Sequence, residues 1–224
     1  MTTTYDSISA PVDAPRARAK FPTTAYGAAS PYVDAYFDEW AGAAGSIDQS
    51  KLDEAATILL EAYSAGAHVF SCGNGGSASI ANHLECDHLK GVRTRTDLAP
   101  RVHSLSANIE LITAVANDIG YEDVFVYQLQ SHARPGDVLV AISSSGRSPN
   151  IIRALTWARD NDLRTIALTG FSGGEARSAA DVALHVDSTN YGIIEDLHQT
   201  MMHALAQYVR QSRMTADSIA ITTF

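Results

Sequence analysis

Cysteine is almost absent from this chain. Two residues in 224, Cys72 and Cys86, cannot build the disulfide lattice of a secreted scaffold, and both fall in segments that read as buried or nearly so. No apolar run approaches the ~18–20 residues of a membrane span. The opening stretch MTTTYDSISAPVDAPRARAK has no apolar centre of the kind a secretory signal carries. These absences predict a cytoplasmic protein with no membrane partner. Basic residues are scarce too, with 16 Lys and Arg against 25 Asp and Glu for a formal charge of −9. Nucleic-acid binding needs a basic stripe to neutralise phosphates, and none exists. Arg16, Arg18 and Lys20 lie in an arm, while Arg93, Arg95 and Arg101 are interleaved with threonine and aspartate. Nucleic acid is therefore excluded as a partner.

What is present is the composition of a core. Hydrophobic residues make up 46% of the chain, enough for one sizeable core in a single domain. Residues 1–30 are rich in Ser, Thr, Ala and Pro without periodicity and read as a flexible arm. Pro31 suits a first helical turn, and Tyr32, Tyr36, Phe37 and Trp40 recur at helical spacing. That stripe is expected to pack on another helix, within the chain or across a subunit contact. A second helix, capped by Ser46 or Asp48, carries Leu52, Ala55, Ala56, Leu59, Leu60 and Tyr63 on one face and ends at Gly66.

Beyond Gly66 the pattern changes. Short runs rich in Val, Ile and Leu at 67–72, 101–105, 137–142, 164–169 and 182–187 alternate with helical segments near 77–90, 109–132, 148–160, 174–180 and 192–212. Continuous apolar strands separated by helices predict a parallel sheet covered on both faces. The expected fold class is α/β, a three-layer αβα sandwich with a five-stranded parallel sheet preceded by a helical pair. The domain is expected to span 31–212, with 213–224 as a polar tail.

Ligands of open α/β sheets collect beyond the carboxyl ends of the strands. After 67–72 comes Gly73-Asn74-Gly75-Gly76-Ser77, and after 137–142 comes Ser143-Ser144-Ser145-Gly146-Arg147-Ser148. Each loop enters a helix, so free backbone N–H groups and the positive end of a helix dipole face one crevice. Glycine lets the backbone approach an anion closely, and serine hydroxyls donate to phosphate oxygens. Either loop alone reads as an ordinary turn, but two donor-rich loops at two strand ends point to an anion. Neither matches a Walker A or a dinucleotide fingerprint. A phosphomonoester on a small molecule fits better.

The acids and imidazoles form a second pattern. His83 and Asp87 lie four apart and share a helix face. The last helix carries Glu195, His198, Gln199 and His203, with Glu195 and His203 eight apart and again on one face. His83, Asp87, Glu195 and His203 make a two-imidazole, two-carboxylate set suited to zinc or another first-row divalent metal. Without a metal the same groups could serve as base and acid. His68, His103, His132 and His185 have no such partners and read as ordinary strand or helix residues. His198 either supports the active face from behind or neighbours it outward, and Cys86 reads as a small buried side chain.

The stretches CGNGGSA, ISSSGRS, ANDIGYEDVF, ALTG and EDLHQTMMHAL together resemble the sugar isomerase (SIS) domain family. The final helix resembles its phosphoheptose isomerase branch, and the similarity runs over about residues 35–210. The resemblance implies a five-stranded parallel sheet, a homotetramer with active sites at subunit contacts, and a divalent metal that is zinc in some members. The implied activity is aldose–ketose isomerisation of a phosphorylated sugar through an enediol-type intermediate. For that branch the substrate is sedoheptulose 7-phosphate and the product D-glycero-D-manno-heptose 7-phosphate. The family's phosphate loop matches Ser143, Ser144, Ser145 and Ser148, and its glycine turn matches Asn74, Gly75 and Ser77. Its first metal-ligating histidine matches His83, and its final catalytic histidine matches His203. Its catalytic glutamate falls on Asp87, one methylene shorter, and its glutamine ligand falls on Glu195. An aspartate before the "ND" segment appears as Asn108. Another, approaching the last helix, falls near Ile193 and is absent. CDHLKG replaces the family's usual segment and leaves Arg93 as the stand-in for a substrate-binding arginine. Two other readings keep the fold: a non-catalytic phosphosugar sensor or partner-binding scaffold, and an isomerase for another ketose phosphate or an aminosugar phosphate.

Overall fold

The computed structural model describes residues 21–224. Arg16, Arg18, Lys20 and the rest of 1–20 in the expected arm lie outside the described residues. Two helices come first, α1 (Ala29–Ala44) and α2 (Gln49–Ala65). Of the two cap candidates for α2, Asp48 takes the role, accepting from the Ser50 N–H at 2.9 Å, and Gly66 ends the helix in the left-handed region at φ 71°. Then follow β1 (His68–Gly73), α3 (Gly76–Cys86), a π-helical turn over Asp87–Val92, β2 (Arg101–Ser104), α4 (Ile109–Asp118) and α5 (Val126–His132). The chain finishes with β3 (Val138–Ser143), α6 (Pro149–Asp160), β4 (Arg164–Thr169), α7 (Gly174–Ala179), β5 (Val182–His185), α8 (Tyr191–Gln211) and α9 (Ala216–Ala220).

The five strands form one all-parallel sheet in the order β2-β1-β3-β4-β5. Every residue of β3 is buried, as a strand covered on both faces requires. Alternation then sorts its side chains between two cores. Val138, Val140 and Ile142 join the core under α2, α3 and α8, while Leu139 and Ala141 join the core under α4–α7. Among the described residues no helix is long and apolar enough to cross a membrane.

Several boundaries differ from the sequence reading. Phe21 is buried, with its ring centroid 4.9 Å from that of Tyr32 and 5.8 Å from that of Tyr36, so the packed domain reaches back before residue 31. One large aromatic, missed among small polar neighbours, anchors that stretch. Tyr32, Tyr36 and Trp40 pack within the chain, and the Tyr36 hydroxyl donates to Asp196 on α8 at 2.6 Å, whereas Phe37 faces outward. The single helical segment expected over 109–132 is two helices, because α4 ends at Asp118 and the chain turns through Ile119, Gly120 and a short 3₁₀ turn, Tyr121–Asp123. The polar tail is pinned rather than loose. Arg213 makes a bidentate pair with Asp97 at 3.0 and 2.6 Å, and the Arg210 guanidinium sits 4.9 Å above the Phe224 ring. Cys72 is buried as expected, but Cys86 is exposed.

Candidate active site

Strand β2 lies on one side of β1, while β3, β4 and β5 follow on the other. The chain therefore reverses its winding between β1 and β3, and such a switch point opens a crevice beyond the strand ends. Gly73 pairs in register with Ile142 across these two strands. The glycine turn and the serine loop thus leave the sheet side by side.

The serine loop is built from its own hydrogen bonds. Ser143 Oγ accepts from the Gly146 N–H at 3.2 Å, Ser145 Oγ accepts from the Arg147 N–H at 3.3 Å, and Ser148 is the N-cap residue of α6 with its hydroxyl uncommitted to the cap. The Ser144 hydroxyl is buried with no hydrogen-bond partner among the described residues. Gly146 makes the turn at φ 64°, and a Cβ there would lie 1.8 Å from the Gly173 carbonyl oxygen. The β4–α7 loop reciprocates, since the Ala176 N–H donates to the Gly146 carbonyl at 3.0 Å. Gly146→Ala is therefore expected to destabilise the fold by at least ~1–2 kcal/mol from the positive φ alone, with the backbone clash in addition. A thermal melt should record a fall of at least ~2–4 °C.

The glycine turn is clamped to the same loop. Asn74 and Asn150 exchange reciprocal amide hydrogen bonds at 2.9 Å each, and the Tyr121 hydroxyl donates to Asn74 Oδ1 at 2.8 Å. Asn150 is buried in the first turn of α6, so the clamp ties the two loops together across the switch point. Gly75 turns the chain at φ 55° into α3, whose first residues include the buried Ser77. Asn74, Gly75, Ser77, Ser143, Ser144, Ser145 and Ser148 are thus assembled on two linked loops. Asn108 has a different task. Its Oδ1 accepts from the Leu111 N–H at 2.9 Å as the N-cap of α4. It also lines a cavity of about 450 Å³ beside β2, with His68, Arg101, His103 and His132. Arg93 follows the π-turn directly and is exposed.

The helix leaving the glycine turn leads to the first imidazole and the acid. His83 sits in the last turn of α3, and at Asp87 the helix widens into the π-turn, a local form that recurs at functional sites. Asp87 presents one carboxylate oxygen to each of two imidazoles: Oδ1 lies 3.3 Å from His83 Nε2 and Oδ2 lies 3.5 Å from His203 Nε2. The two rings stand nearly perpendicular with centroids 4.9 Å apart. Ligand atoms of His83, Asp87 and His203 all fall within 4.8 Å of one another. Two imidazoles and a carboxylate at that spacing are a donor set that suits a first-row divalent ion.

Glu195 does not join them. Its carboxylate lies over the first residue of α3, so close that a Cβ on Gly76 would be 2.4 Å from Oε2. Eight residues of helix rise ~12 Å, which separates Glu195 from His203 along α8 although both share a face. Burial, reinforced by the neighbouring Asp196 charge, raises the Glu195 carboxyl above its usual range. The position near the imidazoles belongs to Gln199, whose amide nitrogen lies 2.9 Å from His203 Nε2 and 3.2 Å from His83 Nδ1. The i, i+4 relation of Gln199 to His203 was visible in the sequence, whereas nothing in it marked Asn150, and Tyr121 stood inside the stretch ANDIGYEDVF with no role attached to it. His198 points inward instead. It is fully buried, burial pushes its imidazole down to about 4, and it is neutral. His88 is likewise buried and pushed down to about 4, with its Nδ1 bonded to the Tyr63 hydroxyl.

A parallel sheet with two donor-rich loops at its switch point, and an acid held between two imidazoles on the adjoining helices, is an arrangement suited to a small phosphorylated molecule. The SIS domain family model matches residues 35–170, and the chain belongs to that family. A phosphoheptose isomerase of Mycobacterium tuberculosis is 41% identical over 157 residues, covering 69% of this chain and 78% of that one. One from Alteromonas mediterranea is 36% identical over 178 residues, covering 78% and 89%. The solved structure of phosphoheptose isomerase GmhA from Neisseria gonorrhoeae superposes with a TM-score of 0.75 at 32% identity, covering 82% of this chain and all of that one.

Proposed function

We propose that this chain is a sugar phosphate isomerase that interconverts sedoheptulose 7-phosphate and D-glycero-D-manno-heptose 7-phosphate. Relatives that carry the name phosphoheptose isomerase at 36–41% identity support the substrate class. The observation that carries the chemistry is the Asp87 carboxylate held between His83 and His203. It stands on the helix that begins at the glycine turn.

The reaction moves a proton between C1 and C2 of the sugar through an enediol-type intermediate. The serine loop and the glycine turn hold the phosphate, and binding energy spent there keeps the reacting carbons in place. Asp87 takes the proton from one carbon and returns it to the other, while His203 opens the ring or supplies a proton to the oxygen. His83, Asp87 and His203 would hold a divalent metal, with zinc as the working choice, and such an ion polarises carbonyl and hydroxyl oxygens as a Lewis acid. Glu195, beside Gly76, meets the substrate at the glycine turn. A non-catalytic phosphosugar binder would need the loops and would have no use for an acid between two imidazoles.

A homotetramer with sites at subunit contacts is part of this reading. It is supported by the family resemblance and by Val33 and Phe37, which leave α1 with exposed apolar side chains. A cytoplasmic location accords with the unpaired cysteines, of which Cys72 has its thiol pushed upward by burial. Incubation of the metal-replete protein with sedoheptulose 7-phosphate, followed by NMR, should show the aldose signals growing to an equilibrium ratio. Failure to turn over heptulose, hexulose and pentulose phosphates alike would reject catalysis.

A further inference from the structure

Three histidines that the proposed chemistry leaves unused meet at the outer edge of the sheet. Strand β2 is the edge strand, and its register sets Arg101 beside His68 and His103 beside Phe70. Residues two apart on a strand share a face, so all four side chains stand on the side of the sheet where Phe70 joins the α4–α7 core. His132, the last residue of α5, closes the group. Ring centroids run from His132 to His103 at 5.8 Å, from His103 to Phe70 at 6.4 Å, and from Phe70 to His68 at 5.7 Å. With Leu111 these side chains line the cavity of about 450 Å³ beside β2. Arg101 is a permanent cation, and each imidazole can become one. Among the described residues no carboxylate lines the cavity. The acid that His68 senses, Asp137, is already engaged, accepting the backbone N–H groups of His68 and Arg134 at 2.7 and 2.8 Å. Burial first, and then the Arg101 charge, hold the His68 imidazole below its ordinary value. Among the described residues no hydrogen bond engages the ring nitrogens of His68, His103 or His132. A basic recess without a counter-ion of its own thus stands in a chain of net charge −9.

We propose that this recess is a second ligand site, which takes a small organic oxyanion, a phosphate or a carboxylate carried on a compact apolar body. The planar fork of Arg101 matches either head group. His103 and His132 supply further N–H donors, while Phe70 and Leu111 receive the body of the ligand. The volume lies within the range of small-molecule pockets. The site is separate from the acid–imidazole cluster and from the serine loop, none of whose residues lines it. Asn108 does line it, but its Oδ1 is committed to the Leu111 N–H at 2.9 Å. The proposal does not depend on the isomerase reading.

Crystals of the full chain soaked with para-bromophenyl phosphate or para-bromobenzoate locate the ligand through the anomalous scattering of bromine. A peak in the recess with the oxyanion on Arg101 is expected, and calorimetry then ranks the two head groups. Arg101→Ala should weaken binding by about tenfold or more, the worth of a hydrogen bond to a charged group. Arg101→Lys, which keeps the charge without the fork, should recover only part of that loss. His132→Ala should also weaken binding. Arg101 and His132 are both exposed, so the fold should survive these changes, and a thermal melt checks that it does. Para-bromobenzyl alcohol, the same body without a charge, should bind far more weakly than either anion. The proposal is overturned if bromine appears only at the serine loop or nowhere. It is overturned equally if Arg101→Ala binds both anions like the parent, or if the alcohol binds as tightly as they do.

Discussion

Replacing His203 with alanine is expected to lower kcat/KM by ~10²–10⁴, the usual worth of a positioned acid or base. That corresponds to ~3–5 kcal/mol of lost transition-state stabilisation. The loss should fall on kcat. His203 lies at the carboxylate of Asp87, 3.5 Å from Oδ2, whereas in the proposed function the phosphate end of the substrate belongs to the serine loop and the glycine turn. Its side chain is partly exposed at the edge of α8, so the fold should survive the change. Asp87→Asn should give a loss of the same order, because it removes the carboxylate that stands between the two imidazoles. Steady-state kinetics with a parallel thermal melt separates these effects. A His203→Ala protein keeping more than about a tenth of the parental kcat would contradict the assigned role.

Acid should unfold this protein early. His88 and His198 are buried and are pushed down to about 4 by desolvation, from an ordinary value of 6.5. In the unfolded chain both rings take up protons as the pH falls through 6.5, while in the folded chain they stay neutral until about pH 4. The unfolded state therefore binds more protons across that window, and stability rises with pH within it. Their contribution is fully present above pH 6.5 and drains away toward pH 4, at roughly 3 kcal/mol for each ring. Two such rings remove a large part of the 5–15 kcal/mol that holds a typical domain together. Urea melts between pH 4 and 7 should show the decline, and His198→Leu should make it shallower. A stability flat across that range would mean that the two rings are not held neutral by the core.

The fold was legible because its strands are continuous apolar runs bounded by turn signals, and parallel strands buried on both faces leave that signature. The two loops were legible for a related reason. Gly73–Ser77 and Ser143–Ser148 stand at strand ends, where backbone chemistry is read from residue type alone. What sequence spacing could not give was distance along a helix. Glu195, Gln199 and His203 share one face, and a rule about faces treats all three alike. Only the rise of ~1.5 Å per residue separates the residue that reaches the imidazoles from the one that rests on Gly76. Tertiary packing decided the rest. Phe21 is held by Tyr32 and Tyr36 from α1, and Asn150 earns its place by pairing with Asn74, 76 residues earlier. The π-turn at Asp87 has no local sequence signature, and Asn108 was drawn into capping α4.

The most direct test of the whole account is a crystal structure of the metal-loaded protein with sedoheptulose 7-phosphate. The phosphate should be bonded to the hydroxyls and backbone N–H groups of Ser143–Ser148 and to the glycine turn. C1 and C2 should lie within reach of Asp87 and His203, from the same chain or from a neighbouring one. A phosphate bound away from these loops, or a sugar directed away from Asp87 in every subunit, would contradict it.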